Sequence, residues 1–319
     1  MSETTRQAEA GQAEATVSSE QTTGQDPGAS GNIVTGLLKT ARPRQWVKNV
    51  LVLAAPFTAG EIVSGGVLLD ALIAFMAFSF VASAVYLVND AVDVDADRAH
   101  PTKCKRPIAA GIVPVPAAYA ASVGFFAAGC ALSLLASWQL LVVLAVYMAV
   151  QLGYCFGLKH QPVIDLAIVG SGFLMRVIAG GVGTGIALSQ WFLLVTAFGS
   201  LFMVAGKRYA EIKLYERTGA KIRSSLKKYS ASYLRFVWAT SAAILIMSYS
   251  LWAFEQQQAE PGSIWSVISL VPFVVAVLRY AVDVDSGNAG EPEEIALHDR
   301  VLQVLGGTWV VMLVLGYYL

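Results

Sequence analysis

Asn89, Asp93 and Asp97 are spaced i, i+4, i+8, and a basic cluster of Lys103, Lys105 and Arg106 follows directly. On a helix, that spacing puts one amide and two carboxylates on a single face. Hard oxygens in that number suit Mg²⁺, which takes one or two carboxylates and fills its octahedron with water and substrate phosphates. Cations behind them, Lys103 and Arg106 above all, would grip the same phosphates by charge-assisted hydrogen bonds. The stretch therefore reads as a receptor for a Mg²⁺–diphosphate, with Asn89, Asp93 and Asp97 as metal ligands and catalytic groups. The plainer alternative is a solvated loop whose charges neutralise one another. Nucleophilic catalysis finds no support, because His100, His160 and His298 lie in or near loops and none has an evident partner.

The element that must position this face is the apolar run LIAFMAFSFVASAVYLV just upstream. The whole chain shares its character. It has 319 residues, 56% hydrophobic and 14% charged, with mean hydropathy +0.59, whereas a soluble domain is nearer a quarter charged. We expect an all-α, polytopic membrane protein with nine spans near 46–60, 68–89, 115–136, 139–157, 163–183, 189–206, 232–253, 264–282 and 301–318. The first of these is short and broken by proline. Residues 1–32, rich in Ser, Thr, Glu, Gln and Gly, read as a disordered cytoplasmic tail. Residues 33–319 then form the nine-helix transmembrane catalytic domain. Lys and Arg outside the spans fall before span 1 and in the loops after spans 2, 4, 6 and 8, and the other loops have none. By the positive-inside rule, the N-terminus and the acidic face are cytoplasmic in a multi-pass cell-membrane protein. Cys104, Cys130 and Cys155, odd in number and far apart, argue against a disulfide framework.

The motif N-D-x-x-D-x-x-x-D-R-x-x-P-T-K-x-x-R-P, residues 89–107, resembles the first signature of the UbiA superfamily of intramembrane prenyltransferases. The resemblance extends over roughly residues 35–319. It implies nine transmembrane helices, Mg²⁺ as cofactor, and two acidic motifs on the cytoplasmic loops after helices 2 and 6. The second motif departs from the family: the loop GKRYAEIKLYERTGAKIRSSLKKY offers Glu211 and Glu216 but no aspartate. The segments RPRQWVKNVLVLAAP, HPTK, YCFGLKHQ, GKRYAE and YLRFVW instead resemble one branch found in mycobacteria and corynebacteria. That branch implies transfer of a 5-phosphoribosyl group from 5-phosphoribosyl 1-diphosphate to decaprenyl phosphate, for cell-wall arabinan synthesis. The alternative is a Mg²⁺-dependent prenyltransferase with a polyprenyl diphosphate donor and a small or aromatic acceptor. A transporter would more often carry internal repeats, and none is visible. Nucleic acid is not expected as a partner, the lipid bilayer is, and a homo-oligomer is left open.

The resemblance gives other charged residues expected roles. Arg44, Lys48, Tyr86, Lys207, Arg208 and Glu211 join Lys103 and Arg106 around the phosphoribosyl diphosphate. The competing readings are interface anchoring for Arg44 and Lys48, packing for Tyr86 and a salt-bridged turn for Lys207 and Glu211. Lys159, the only cation of its short loop, and Arg176, deep inside span 5, are expected on the lipid phosphate. A charge at that depth usually faces a polar cavity or a partner. Asp283, Asp285, Glu291, Glu293 and Glu294 form an acidic stretch with no matching cations nearby in sequence and read as a solvated loop.

Overall fold

A computed structural model of the protein describes residues 32–219, 226, 228–259, 263–287, 295 and 298–318. The expected tail therefore lies outside the described residues, apart from Asn32, whose side chain caps the first helix by accepting from the Val34 N–H. Glu291, Glu293 and Glu294 also lie outside them. Among the described residues there is no strand. Helix α1 (Ile33–Ala41) is followed by a 3₁₀ helix (Pro43–Leu53) and α2 (Ala54–Thr58). Then come α3 (Gly65–Val92), α4 (Val94–Arg98), α5 (Val115–Ala136), α6 (Trp138–Cys155), α7 (Ile164–Thr184) and α8 (Gln190–Thr218). The chain ends with α9 (Ala231–Ala259), α10 (Trp265–Ile268), α11 (Leu270–Ser286) and α12 (Arg300–Tyr318).

Among the described residues, seven helical stretches are long and apolar enough to cross a membrane: α3, α5, α6, α7, α8, α9 and the α10–α11 pair. They stand at seven of the nine expected spans, and α12, shorter, stands at the ninth. The first expectation needs correction. Residues 46–60 are not one α-helix but most of the 3₁₀ helix plus α2. The backbone of Arg42 turns left-handed (φ 54°, ψ 58°) and Pro43 follows, which closes α1 and starts a new winding. A 3₁₀ helix rises about 2 Å per residue against 1.5 Å for an α-helix. Eleven 3₁₀ residues and five α residues thus reach roughly 30 Å, the depth of a bilayer core. A tighter winding lets this short segment go as far as a longer α-helix.

This narrow rod needs close neighbours. A Cβ at Gly180 of α7 would collide with the carbonyl of Val52, and a Cβ at Gly129 of α5 would stand 2.9 Å from the Ala77 carbonyl oxygen of α3. Lipid tails are as apolar as leucine, so small residues that let backbones approach are what hold helices together in a bilayer. Two cores result. Val52, Phe78, Val81, Leu144, Tyr147 and Ala179 join the 3₁₀ helix, α3, α6 and α7. Leu166, Phe202, Tyr209, Leu234, Val277 and Val284 join α7, α8, α9 and α11. Helix α7 belongs to both and is the spine between them. Val123, Phe236 and Val311 stay exposed on the outside, as a surface bathed in hydrocarbon requires.

Candidate active site

Helix α3 carries Asn89 and Asp90 in its last turn and ends at Val92. Asp93 (φ −90°, ψ 10°) steps out of helical geometry. Its amide still donates to the Asn89 carbonyl at 3.0 Å, and the Asp97 amide donates to the Asp93 carbonyl at 2.8 Å. The i, i+4, i+8 ladder therefore survives the junction with α4. Asn89 Oδ1 accepts from the Cys155 thiol, at 3.6 Å. The Asp93 carboxylate is held by Lys159 Nζ at 2.5 Å. Asp97 is buried, accepts from Arg106 at 2.6 Å and has Lys103 at 4.0 Å. The structure thus brings Asn89, Asp93, Asp97, Lys103, Arg106 and Lys159 to one end of the bundle.

Sequence reasoning missed Asp90. It is 2% exposed and receives one guanidinium nitrogen of Arg42 on both oxygens, at 2.6 and 2.8 Å, and Arg106 at 3.1 Å. Arg106 bridges Asp90 and Asp97 from the same nitrogen. Arg42 also lies 5.0 Å over the ring of Tyr86, which gives that tyrosine a definite contact. The signal in sequence was position: one residue on from Asn89, about 100° round the helix, Asp90 turns away from the ladder. A carboxylate turned inward needs a counter-charge, but nothing local named Arg42.

A second group lies where α7 begins and α8 ends. Arg208, 5% exposed, sits 3.8 Å from Asp165 and 3.6 Å from Glu211. Its Nε is buried with no hydrogen-bond partner among the described residues. The Tyr229 hydroxyl donates to Asp165 and accepts the Val163 N–H at 2.5 Å. Burial, then the bond to Asp165, pushes the Tyr229 phenol above its ordinary range, so it stays a proton donor. Lys228 donates to the His160 carbonyl at 2.8 Å. Asp165 and Tyr229 had no role in the sequence reading, since each is a single polar residue near a helix end. Lys207 is half-buried on the same α8 turn, Arg44 is exposed and Lys48 half-buried on the 3₁₀ helix.

Arg176 lies elsewhere. It is 5% exposed and donates to Asn49 Oδ1 at 2.7 Å and to the Gly172 carbonyl at 2.6 Å. Phe78, Phe173 and Tyr147 surround its guanidinium. Asn49 in turn donates to Ser79 at 2.9 Å. Along α3, Ser79 and Asp93 are separated by roughly 20 Å of helix, so Arg176 sits far below the acidic ladder even though it reaches back one turn.

Two further expectations are corrected. Asp283 and Asp285 belong to α11, and Asp285 is paired with Arg235 at 2.6 Å, so a cation does match this acidic stretch. The cation comes from α9, which only packing brings near. Arg279 of α11 bonds Asp299, just before α12, and holds its carboxyl below the usual range. His100 also has partners: its ring Nδ1 accepts the Thr102 amide at 3.3 Å. Among the described residues, no three His, Cys, Asp or Glu side chains gather as a self-sufficient metal site. Any ion at the ladder would have to take further ligands from its substrate and water.

Comparison with known proteins gives a family and a fold. The model of the UbiA prenyltransferase family matches residues 50–297. A decaprenyl-phosphate phosphoribosyltransferase of Corynebacterium glutamicum is 57% identical over 293 residues, covering 90% of this chain and 88% of that protein. Proteins of the same name from Mycolicibacterium smegmatis (56% identity; 88% and 91% covered) and Mycobacterium tuberculosis (57%; 88% and 93%) are similar throughout. A UbiA homologue from Archaeoglobus fulgidus, solved with GPP and Mg²⁺ bound, shares the fold with TM-score 0.65 at 18% identity, covering 88% of this chain and 98% of that one. A digeranylgeranylglyceryl phosphate synthase structure matches with TM-score 0.62 at 16% identity, covering 89% and 98%.

Proposed function

This chain belongs to the UbiA prenyltransferase family, and on that premise we propose that it transfers a 5-phosphoribosyl group from 5-phosphoribosyl 1-diphosphate to decaprenyl phosphate. The observation that carries the reading is high identity, over almost the whole chain, to relatives named for that activity. The α8 loop supports it. Where the family signature has a second aspartate motif, this chain has Lys207, Arg208 and Glu211, a set better suited to an anionic, water-soluble donor than to a second metal ion.

In the reaction, the bond from the anomeric carbon to the diphosphate oxygen breaks and its electron pair leaves with the diphosphate. A new bond forms from that carbon to a lipid phosphate oxygen. Positive charge on the ribosyl carbon and negative charge on the leaving group grow together, as in other glycosyl transfers. The acceptor is already an anion, so no strong general base is required. Lys103, Arg106, Lys207 and Arg208 would bind the leaving phosphates, where cations stabilise the developing charge.

The oxygens of the ladder fit Mg²⁺. Asn89 Oδ1 and the Asp93 carboxylate are hard donors one turn apart, met by a thiol and one ammonium, which is a partial set of the kind that ion completes with water and phosphate. Asn89 and Asp93 would hold it, and Asp97 would join when the donor's phosphates take Arg106 and Lys103. Bound there, it would neutralise the leaving diphosphate. Of the two residues expected on the lipid phosphate, Lys159 is level with the ladder and keeps that role; Arg176 is too deep, and we assign it to packing. With the basic loops at the ladder end, the site opens to the cytoplasm from the cell membrane.

The test is direct. Purified protein in lipid nanodiscs receives ribose-labelled phosphoribosyl diphosphate, decaprenyl phosphate and Mg²⁺. We expect labelled ribose phosphate in the organic extract. Label that stays aqueous, while a polyprenyl diphosphate and an aromatic acceptor do react, would replace this reading with ordinary prenyl transfer.

A further inference from the structure

Val163 is a β-branched residue with φ 69° and ψ −46°, near the strained γ-turn conformation that side chains beyond glycine rarely adopt. Such a residue persists only where its surroundings fix it, and strain of this kind gathers at functional sites. Its amide donates to the Tyr229 hydroxyl at 2.5 Å. That hydroxyl donates in turn to Asp165, which is 1% exposed and lies 3.8 Å from Arg208. The neighbouring Lys228 holds the His160 carbonyl. His160 closes the 3₁₀ turn Leu158–His160, whose middle residue, Lys159, meets Asp93. The segment entering α9 therefore fastens the middle and the α7 end of the α6–α7 connection.

We propose that Tyr229 is a positioning residue: its hydroxyl locks Val163, so that the α6–α7 connection presents Lys159 to the acidic ladder, and through Asp165 it aims Arg208 at the donor. The naming of the anion as the donor's diphosphate rests on the phosphoribosyl-transfer reading above. The buried, unpartnered Nε of Arg208 is the feature that a purely structural clamp leaves unexplained, since an orphaned guanidinium N–H is costly unless a ligand takes it.

The full-length protein in nanodiscs carries the test through Tyr229→Phe, alone and with Val163→Gly. Glycine adopts positive φ without strain, so it should let the connection keep its path without the hydroxyl. We expect Tyr229→Phe to weaken inorganic diphosphate binding, measured with Mg²⁺ present, by about tenfold, the size of one lost hydrogen bond to a charged group. Donor KM should rise in step, and decaprenyl phosphate KM should rise as well, because the loosened connection no longer presents Lys159. Val163→Gly in that background should restore the decaprenyl phosphate KM but leave diphosphate binding weak, because Asp165 still lacks its hydrogen-bond donor. Unchanged diphosphate affinity, an unchanged decaprenyl phosphate KM, or no recovery of that KM in the double variant would each overturn the assignment. Should Tyr229→Phe fail to fold, Lys228→Met carries the test, because that side chain is exposed; a raised decaprenyl phosphate KM supports the clamp and a wild-type value overturns it. Wild-type protein that binds diphosphate but makes no phosphoribosyl lipid would sink the functional reading alone and leave the clamp testable.

Discussion

Asp90 and Asp93 are neighbours in one motif, yet their surroundings give them opposite tasks. Asp90 is sealed between Arg42 and Arg106, whereas Asp93 is 29% exposed with one lysine against it. Removing one partner of a buried ion cluster leaves uncompensated charge and costs about 3–5 kcal/mol. Asp90→Ala should therefore lower the thermal midpoint in detergent sharply, while Asp93→Ala abolishes transfer at a nearly unchanged midpoint. Equal midpoints for the two variants would show that the burial of Asp90 carries no such cost. Lys159 leads to a less intuitive expectation. Its ammonium is paired with Asp93, so Lys159→Ala should tighten binding of Mn²⁺ alone, followed by electron paramagnetic resonance. The gain should be roughly two- to fivefold, matching a partly exposed ion pair of about 0.5–1 kcal/mol. Weaker Mn²⁺ binding would mean that Asp93 is not the metal's carboxylate.

The 3₁₀ helix and α7 form the most closely fitted pair of elements. Gly180→Ala drives a methyl into the Val52 carbonyl and should destabilise the fold by about 2 kcal/mol or more, as overpacking does. Gly307→Ala, in α12 with nothing within 4 Å of an added Cβ, should be neutral or stabilising by up to about 1 kcal/mol. Thermal melts of the two variants side by side decide it, and matching effects would refute the tight contact. Arg176 ties the same two elements through Asn49. Arg176→Lys keeps the charge but loses the fixed geometry of the guanidinium, so the midpoint should fall while the KM values of donor and acceptor move together. A selective loss of decaprenyl phosphate affinity at constant midpoint would put the lipid phosphate on Arg176 after all.

On the scale of the molecule, Arg98, Lys103, Lys105, Arg106 and Lys159 all fall at the ladder's end of the bundle, which makes orientation testable with a native thiol. Cys104 lies partly exposed in the loop after α4, whereas Cys155 is buried. A membrane-impermeant maleimide should modify the Cys104 peptide in inverted membrane vesicles and spare it in intact cells. Labelling of intact cells would reverse the orientation and turn the site away from a cytosolic donor.

What a residue's near neighbours control was legible in the sequence. Long apolar runs can only satisfy their backbone as helices in a bilayer, so the helical class and seven of the nine long spans follow from hydropathy. The ladder followed from spacing, because i, i+4 relations act within one helix. The loop cations were legible for the same reason. The rest depended on which helices meet. Arg42 reaches Asp90 across 48 positions, and Arg176 reaches Asn49 across 127. Tyr229 closes on Val163 across 66. Small residues at the contacts decide such approaches, and a glycine in a sequence does not name the helix that will come close to it. The 3₁₀ winding of the first span was hidden for a related reason. Its apolar run is too short for an α-helix to cross with, and only the packing against Gly180 and the bonds of Asn49 to Ser79 and Arg176 explain how so narrow a rod is held.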